Sequence, residues 1–229
     1  MSKATPIYDI TPFTLLDYPD KTACIIWFAG CNMRCGYCYN PDIVLGKGEI
    51  FIAEALQFLR NRKGLLDGVV MSGGECTLHP SLIDLALEVK ALGMKVKIDT
   101  NGSRPEVLKK LYKNDTLDYV ALDFKATAEK FQSITKSNLF TPFEQSLSFL
   151  VEHKVPFEVR TTVHSAQLKA EDILSMRNYL VQRAYRGNYY LQHFTNNSEI
   201  LEVMSDSNIT EFDKEFSSPE VKVQMRKTI

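Results

Sequence analysis

Short apolar runs alternate along the chain with segments whose apolar residues recur at helical spacing, and this alternation restricts the fold more than any other feature. Residues 23–29 (ACIIWFA), 68–72 (GVVMS), 95–99 (KVKID), 119–123 (YVALD), 157–163 (FEVRTTV) and 188–193 (NYYLQH) read as strands. The third of them alternates polar and apolar residues. Helical patterns fill 51–63, 81–92, 105–112, 143–153 and 170–186, and 221–225 reads as a last short strand. On 81–92 the apolar face is Leu82, Leu85, Ala86 and Val89, with Gly93 as the stop. Strands joined by helical crossovers build right-handed βαβ units and a parallel sheet. About six such units fall short of the eight of a closed barrel. The expectation is therefore an α/β fold, a partial open (β/α)6 TIM-like barrel of parallel strands. It forms one domain over residues 1–229, with a core of residues 20–194 and a C-terminal extension, 195–229, that carries no recognisable motif.

The 229 residues, 45% of them hydrophobic, suffice for one sizeable core. Lys plus Arg number 27 against 28 Asp plus Glu, a net charge of −1. Such a balance gives no overall attraction to nucleic acid or to an anionic membrane, so neither partner is expected. Apolar runs stay well below the roughly 18 residues of a membrane span, and the N-terminal MSKATPIYDITPF lacks the apolar centre of a signal peptide. The expected location is cytoplasmic, where thiols stay reduced. The five cysteines (Cys24, Cys31, Cys35, Cys38 and Cys76) are then read as ligands or catalysts before disulfides.

Three of them form C-x3-C-x2-C at Cys31, Cys35 and Cys38, in the loop that follows the first apolar strand. Thiolates so close in sequence suit one soft metal centre. Iron–sulfur clusters normally take four cysteines; a [4Fe–4S] cluster on three leaves one iron open to chemistry. A zinc site would want a fourth ligand, and the nearest histidine in sequence is His79, beyond the next strand. Chance clustering is the remaining alternative. Ligands gathered where strand ends feed loops are the arrangement of a barrel active site. Cys24, inside a strand, reads as a small buried hydrophobe.

With Tyr37 just before the last cysteine, this loop resembles that of the radical S-adenosylmethionine (radical SAM) superfamily. The resemblance implies a [4Fe–4S] cluster on Cys31, Cys35 and Cys38 whose open iron is chelated by S-adenosylmethionine. Reductive cleavage of that cofactor to a 5′-deoxyadenosyl radical is implied with it, and Tyr37 would pack near the adenine. Ser72-Gly73-Gly74-Glu75 is similar to the superfamily motif that binds the methionine amino end, where glycine permits close backbone approach. Asp99-Thr100-Asn101-Gly102 and Leu122-Asp123-Phe124-Lys125 resemble the pattern of glycyl-radical-enzyme activating proteins. There Asp99, Thr100, Asn101, Asp123 and Lys125 would contact ribose and carboxylate, and the two aspartates would also hold a monovalent cation. Taken singly, Asp99 also reads as a cap, Asn101-Gly102 as a tight turn and Lys125 as a solvated lysine. Arg160, inside a strand where an unpaired charge is costly, and His193, at a strand end, are assigned by the resemblance to the cofactor or substrate end of the site. His193 reads equally well as a hydrogen-bonded core histidine, and His164 ranks lower. Cys76 stands where related chains often carry Pro.

The flanks TLLDYPDKTA (14–23) and YNPD (39–42) resemble the activating proteins of anaerobic ribonucleoside-triphosphate reductase and of pyruvate formate-lyase, with Tyr39 in place of a usual His and Asp20 in place of a usual Gly. The resemblance covers residues 8–193. It implies a glycyl radical enzyme as partner, of the anaerobic ribonucleotide reductase or pyruvate formate-lyase type. A hydrogen atom would be taken from a glycine of that partner, with flavodoxin or ferredoxin as electron donor. Two alternatives stand beside it. One is a radical SAM enzyme acting on a small molecule, similar to 7-carboxy-7-deazaguanine synthase; the other is a non-enzymatic iron–sulfur or structural metal protein.

Overall fold

Strand β2 (Ala23–Phe28) is buried at every position except the half-buried Trp27, as expected of a strand covered on both faces. It pairs in parallel with β3 (Gly68–Gly73), in register from Ala23 opposite Gly68 to Phe28 opposite Gly73. β3 pairs in parallel with β4 (Lys95–Thr100). The computed structural model describes residues 5–208 and 216–226, and the chain divides into two compact units. The first comprises the described parts of Met1–Asn32, together with Asn40–Thr100 and Arg104–Val120. Besides β2–β4 it holds β1 (Ile7–Thr14), α1 (Pro41–Leu45), α2 (Ile52–Arg60), a 3-10 turn at Cys76–Leu78, α3 (Leu82–Ala91) and α4 (Pro105–Lys113).

The expected helices follow their apolar stripes. α3 buries Leu82, Leu85, Ala86 and Val89, the face read from the sequence, and truncating one of its leucines to alanine would cost about 2–5 kcal/mol. α2 is closed at its start by Glu54, whose carboxylate accepts the Phe51 N–H at 2.8 Å. α4 and α1 both place Pro in their first turn, where a missing N–H costs nothing. β1 is an addition to the expected pattern. It runs antiparallel to β2, from Ile7 opposite Phe28 to Thr14 opposite Ala23, with two irregularities in register. Tyr18 of the LDYP segment is buried with Ala23, Ile25 and Val70.

The second unit comprises Met33–Tyr39, Asn101–Ser103 and the described part of Ala121–Ile229. It receives the last residues of β5 (Tyr119–Asp123) and holds α5 (Ala128–Thr135), α6 (Phe140–Glu152), β6 (Phe157–Val163), α7 (Ala170–Gln182), β7 (Gly187–His193) and β8 (Val221–Arg226). β6, β7 and β8 are parallel neighbours. β8 belongs to the stretch read as an extension without a motif. It is fastened by Arg226, which makes two bonds of 2.9 and 3.0 Å to the Glu158 carboxylate and lies 3.6 Å over the Tyr190 ring. No helix among the described residues is long and apolar enough to cross a membrane.

Candidate active site

In the first unit, the loop leaving β2 is held by the loop leaving β3. Gly74 N–H donates to the Phe28 carbonyl and Glu75 N–H to the Gly30 carbonyl, both at 2.9 Å, so the β2–β3 pairing continues past the strands up to Cys31. The two glycines are needed for this approach. A Cβ on Gly74 would lie 2.0 Å from the Gly30 oxygen, and one on Gly73, whose φ is +118°, 2.2 Å from the Phe28 oxygen. Two more groups steady the same segment. Gly30 N–H donates to the Ile43 carbonyl at 2.7 Å, and His79 Nε2 to the Ala29 carbonyl at 2.7 Å. Burial lowers the His79 pKa against the raising effect of that bond. His79, discounted in the sequence as a ligand, thus acts as a brace.

Glu75 is buried, and its Oε1 gathers three donors: Thr77 N–H at 3.1 Å, the Thr77 hydroxyl, and the Thr100 hydroxyl at 2.8 Å. Thr100 therefore ties the end of β4 to the glycine motif. Ser72 stands half-buried in β3, opposite Trp27. On β4, Asp99 forms an ion pair with Lys97, whose side chain is only 1% exposed. Although this strand alternates polar and apolar residues, Lys97 is buried, and Asp99 supplies its counter-charge. Cys76 Sγ lies 3.4 Å from the Met71 carbonyl and 3.5 Å from the Asp99 carbonyl. Burial holds this thiol well above its usual pKa, so it stays a donor.

In the second unit, Cys35 and Cys38 share a tight turn, with Cys38 N–H donating to the Cys35 carbonyl at 3.0 Å. Burial pushes the Cys35 thiol up, against the lowering effect of Lys125. Tyr37 is buried, and its hydroxyl finds no partner of ordinary hydrogen-bond geometry, although it stands near enough to Cys35 to bear on that thiol's acidity. Asp123, at the end of β5, receives Arg160 Nε on one oxygen at 3.0 Å and Lys125 Nζ on the other at 3.1 Å. Burial alone would raise its pKa; Arg160 and Lys125 outweigh that and hold the carboxyl below the usual range. Burial works against the Lys125 ammonium too, and Asp123 overcomes it. Two cations thus face one carboxylate at the end of β5.

Other expected residues serve the frame. Asn101 Oδ1 accepts the Ser103 N–H at 2.9 Å and so shapes the turn in which Gly102 adopts φ +73°. His193 ends β7 half-buried, opposite Val163. His164 is fully buried; its Nδ1 accepts the Ala166 N–H and its Nε2 donates to the Ser205 carbonyl at 2.9 Å.

That last bond belongs to a strap that the sequence did not reveal. Leu201 N–H donates to the Cys38 carbonyl at 3.2 Å and Glu202 N–H to the Gly36 carbonyl at 3.0 Å. Tyr39 stacks on Phe194 at 5.5 Å, and its hydroxyl accepts the Thr195 N–H at 2.7 Å. Gly36 is small for the same reason, since a Cβ there would lie 2.8 Å from a Glu202 carboxylate oxygen. Residues 194–207 therefore clamp the part of the cysteine loop that carries Cys35 and Cys38. Their polar, aperiodic sequence gave no signal of it.

None of the five cysteines is in a disulfide. Among the described residues, no three His, Cys, Asp or Glu side chains gather as ligands of a single ion. A cubane cluster differs from a single ion in binding each cysteine through its own iron, so its sulfurs need not meet at one point.

A family model described as the Radical SAM superfamily matches residues 25–175. A Methanocaldococcus jannaschii protein, provisionally named glycyl-radical enzyme activating enzyme MJ1227, is 34% identical over 174 residues, 72% of this chain and 70% of that protein. The pyruvate formate-lyase-activating enzyme of Clostridium pasteurianum is 36% identical over 126 residues, 52% of each chain. Among solved structures, Streptococcus suis SuiB bound to S-adenosylmethionine matches with a TM-score of 0.68 at 12% identity, over 88% of this chain and 51% of that one. The match thus spans about half the length of the last two proteins. The likeness to SuiB is one of fold, α/β with mostly parallel strands.

Proposed function

This chain belongs to the Radical SAM superfamily, and from that premise we propose that it activates a glycyl radical enzyme, with a [4Fe–4S] cluster on Cys31, Cys35 and Cys38 and S-adenosylmethionine as cofactors. The observation that carries the reading is the C-x3-C-x2-C loop set directly after β2 and braced by the glycine motif, with all three thiols outside any disulfide. When bound and reduced, the two cofactors supply one-electron cleavage of a carbon–sulfur bond, and with it the power to remove a hydrogen atom from a glycine. The chain's own residues bind and orient. Lys125 and Arg160 offer positive charge for a carboxylate, and the buried Tyr37, beside Cys35, would pack near the adenine. Gly73 and Gly74 bring bare backbone to the cluster loop, and Glu75, fixed by Thr77 and Thr100, is an anion suited to an ammonium. The partner would be a glycyl radical enzyme of the anaerobic ribonucleotide reductase or pyruvate formate-lyase type, with flavodoxin or ferredoxin as donor.

The test is anaerobic reconstitution with iron and sulfide, reduction, and incubation with S-adenosylmethionine and the glycyl radical enzyme of the same source. A glycyl radical signal in the partner by electron paramagnetic resonance, with 5′-deoxyadenosine as co-product, is expected. Both should vanish when Cys31, Cys35 and Cys38 are changed to alanine. Cofactor cleavage without a partner radical would move the assignment to a small-molecule radical SAM reaction. A loaded cluster that cleaves nothing would leave an iron–sulfur protein without this chemistry.

A further inference from the structure

Lys97 and Asp99 lie two residues apart on β4 and so share one face of the strand. Their ion pair is closed to water: the Lys97 side chain is 1% exposed and the Asp99 side chain 10%. Lys97 makes no other ion pair among the described residues. A buried ammonium that left this carboxylate would stand unpaired in a poorly polar setting, a strongly unfavourable change. The pair is therefore a permanent feature of the first unit. The backbone carbonyl of Asp99 also faces a donor, since the buried Cys76 thiol lies 3.5 Å from it. Both kinds of oxygen by which an aspartate holds an alkali cation, carboxylate and carbonyl, thus already face internal donors. A free cation on the same carboxylate would put two positive charges side by side.

We infer that Lys97 is a positioning residue whose ammonium stands on Asp99 in the place of a monovalent cation, so that cofactor binding by this protein does not require one. This rests on the reading that Asp99 belongs to the S-adenosylmethionine site. It revises the expectation that Asp99 would share a monovalent cation with Asp123. The arrangement has a functional logic. An alkali ion binds reversibly and makes affinity depend on salt composition, whereas a tethered ammonium holds the carboxylate in one orientation whatever the salt.

The experiment measures S-adenosylmethionine affinity calorimetrically on the cluster-loaded protein, in potassium chloride and in choline chloride at equal ionic strength. The melting temperature without cofactor is measured in the same two salts. For the natural sequence, both quantities should agree between the salts. Lys97→Met keeps the length of the side chain and removes its charge; it should bind about tenfold more weakly in choline and recover in potassium or ammonium chloride. A natural protein that gains about tenfold in affinity from potassium overturns the inference, as does a Lys97→Met protein that binds normally in choline. Should Lys97→Met fail to fold, the salt comparison on the natural protein decides alone. Should no salt support S-adenosylmethionine binding, the cofactor reading fails separately. The melting temperatures still decide whether potassium is needed at Asp99.

Discussion

Two strand-end aspartates are neutralised in opposite ways. Asp99 in the first unit is paired with Lys97, sealed behind it on its own strand. Asp123 in the second unit has two cations, Lys125 from its own chain segment and Arg160 from β6, and these side chains keep 19% and 15% of their surface. The first pair is held away from water. The second sets two cations on one carboxylate, each side chain keeping a small part of its surface. The same contrast runs through the neighbouring residues. Around Gly73 and Gly74 the first unit brings backbone close to backbone, whereas the second sets long charged side chains around Asp123. Steric errors should therefore break the first set, and charge errors the second.

The largest effect is expected at Asp123. Changing it to alanine leaves two largely buried cations without their carboxylate and should cost about 3 kcal/mol or more, read by thermal or denaturant unfolding. Its titration gives the pH signature. Because the folded carboxyl lies below its ordinary value, its stabilisation is fully present above the unfolded pKa of about 3.9 and is lost as pH falls through the lower folded value. Asp123→Asn should remove this component, so its stability should fall less steeply than that of the natural protein below about pH 4. Identical acid slopes would show that Asp123 is no more engaged than an exposed carboxylate.

Gly74→Ala tests the steric half. The new methyl would sit 2.0 Å from a backbone oxygen that cannot move independently of the cysteine loop. We expect about 1–3 kcal/mol of destabilisation, together with reduced iron after reconstitution. Normal iron content in a Gly74→Ala protein would mean that the contact between the two loops is not what presents Cys31. Lys125→Gln tests the charge set around Asp123 by replacing the ammonium with a neutral amide. It should weaken S-adenosylmethionine binding about 10–100-fold, the range for losing one charge-assisted hydrogen bond. An unchanged affinity would remove Lys125 from the site.

Much of this was legible in the sequence, where periodicity and turn chemistry agree. β5 and β6 fall on the residues expected, and α3 buries the expected face, because each is a strongly patterned segment with clear stops. β1 was missed since Pro12 and alternating polar residues weaken IYDITPFT as a strand, and only pairing with β2 makes it one. α5 escaped because AEKFQSIT offers few apolar residues for its buried face, Phe131 and Ile134 chief among them. The candidate site was legible through its cysteines and strand-end motifs, but the roles within it were not. Parity alone puts Lys97 on the Asp99 face, yet no local pattern says that a lysine there is buried; that depends on what the rest of the unit packs around it. The strap was invisible for a related reason. Its bonds to Gly36 and Cys38 are made by backbone N–H groups, which every residue other than proline carries.

The smallest effect concerns that strap, and it sharpens the contrast between the two units. Cys31 is presented by bonds local to β2 and β3, but the segment holding Cys35 and Cys38 depends on a partner more than a hundred and fifty residues away, Tyr39 bonding Thr195 across a separation of 156. Tyr39→Phe keeps the stack on Phe194 and removes only the acceptor for the Thr195 N–H, a loss of about 1 kcal/mol. Global stability should therefore change little. Hydrogen exchange should nevertheless quicken at the Thr195, Leu201 and Glu202 amides, and cluster loss in air should be faster than in the natural protein. Amides at Gly74 and Glu75 should keep their protection, because their acceptors lie in the first unit. Should all five amides quicken together, the two halves of the cysteine loop are held as one cooperative unit and the distinction between a locally braced and a remotely clamped half does not survive.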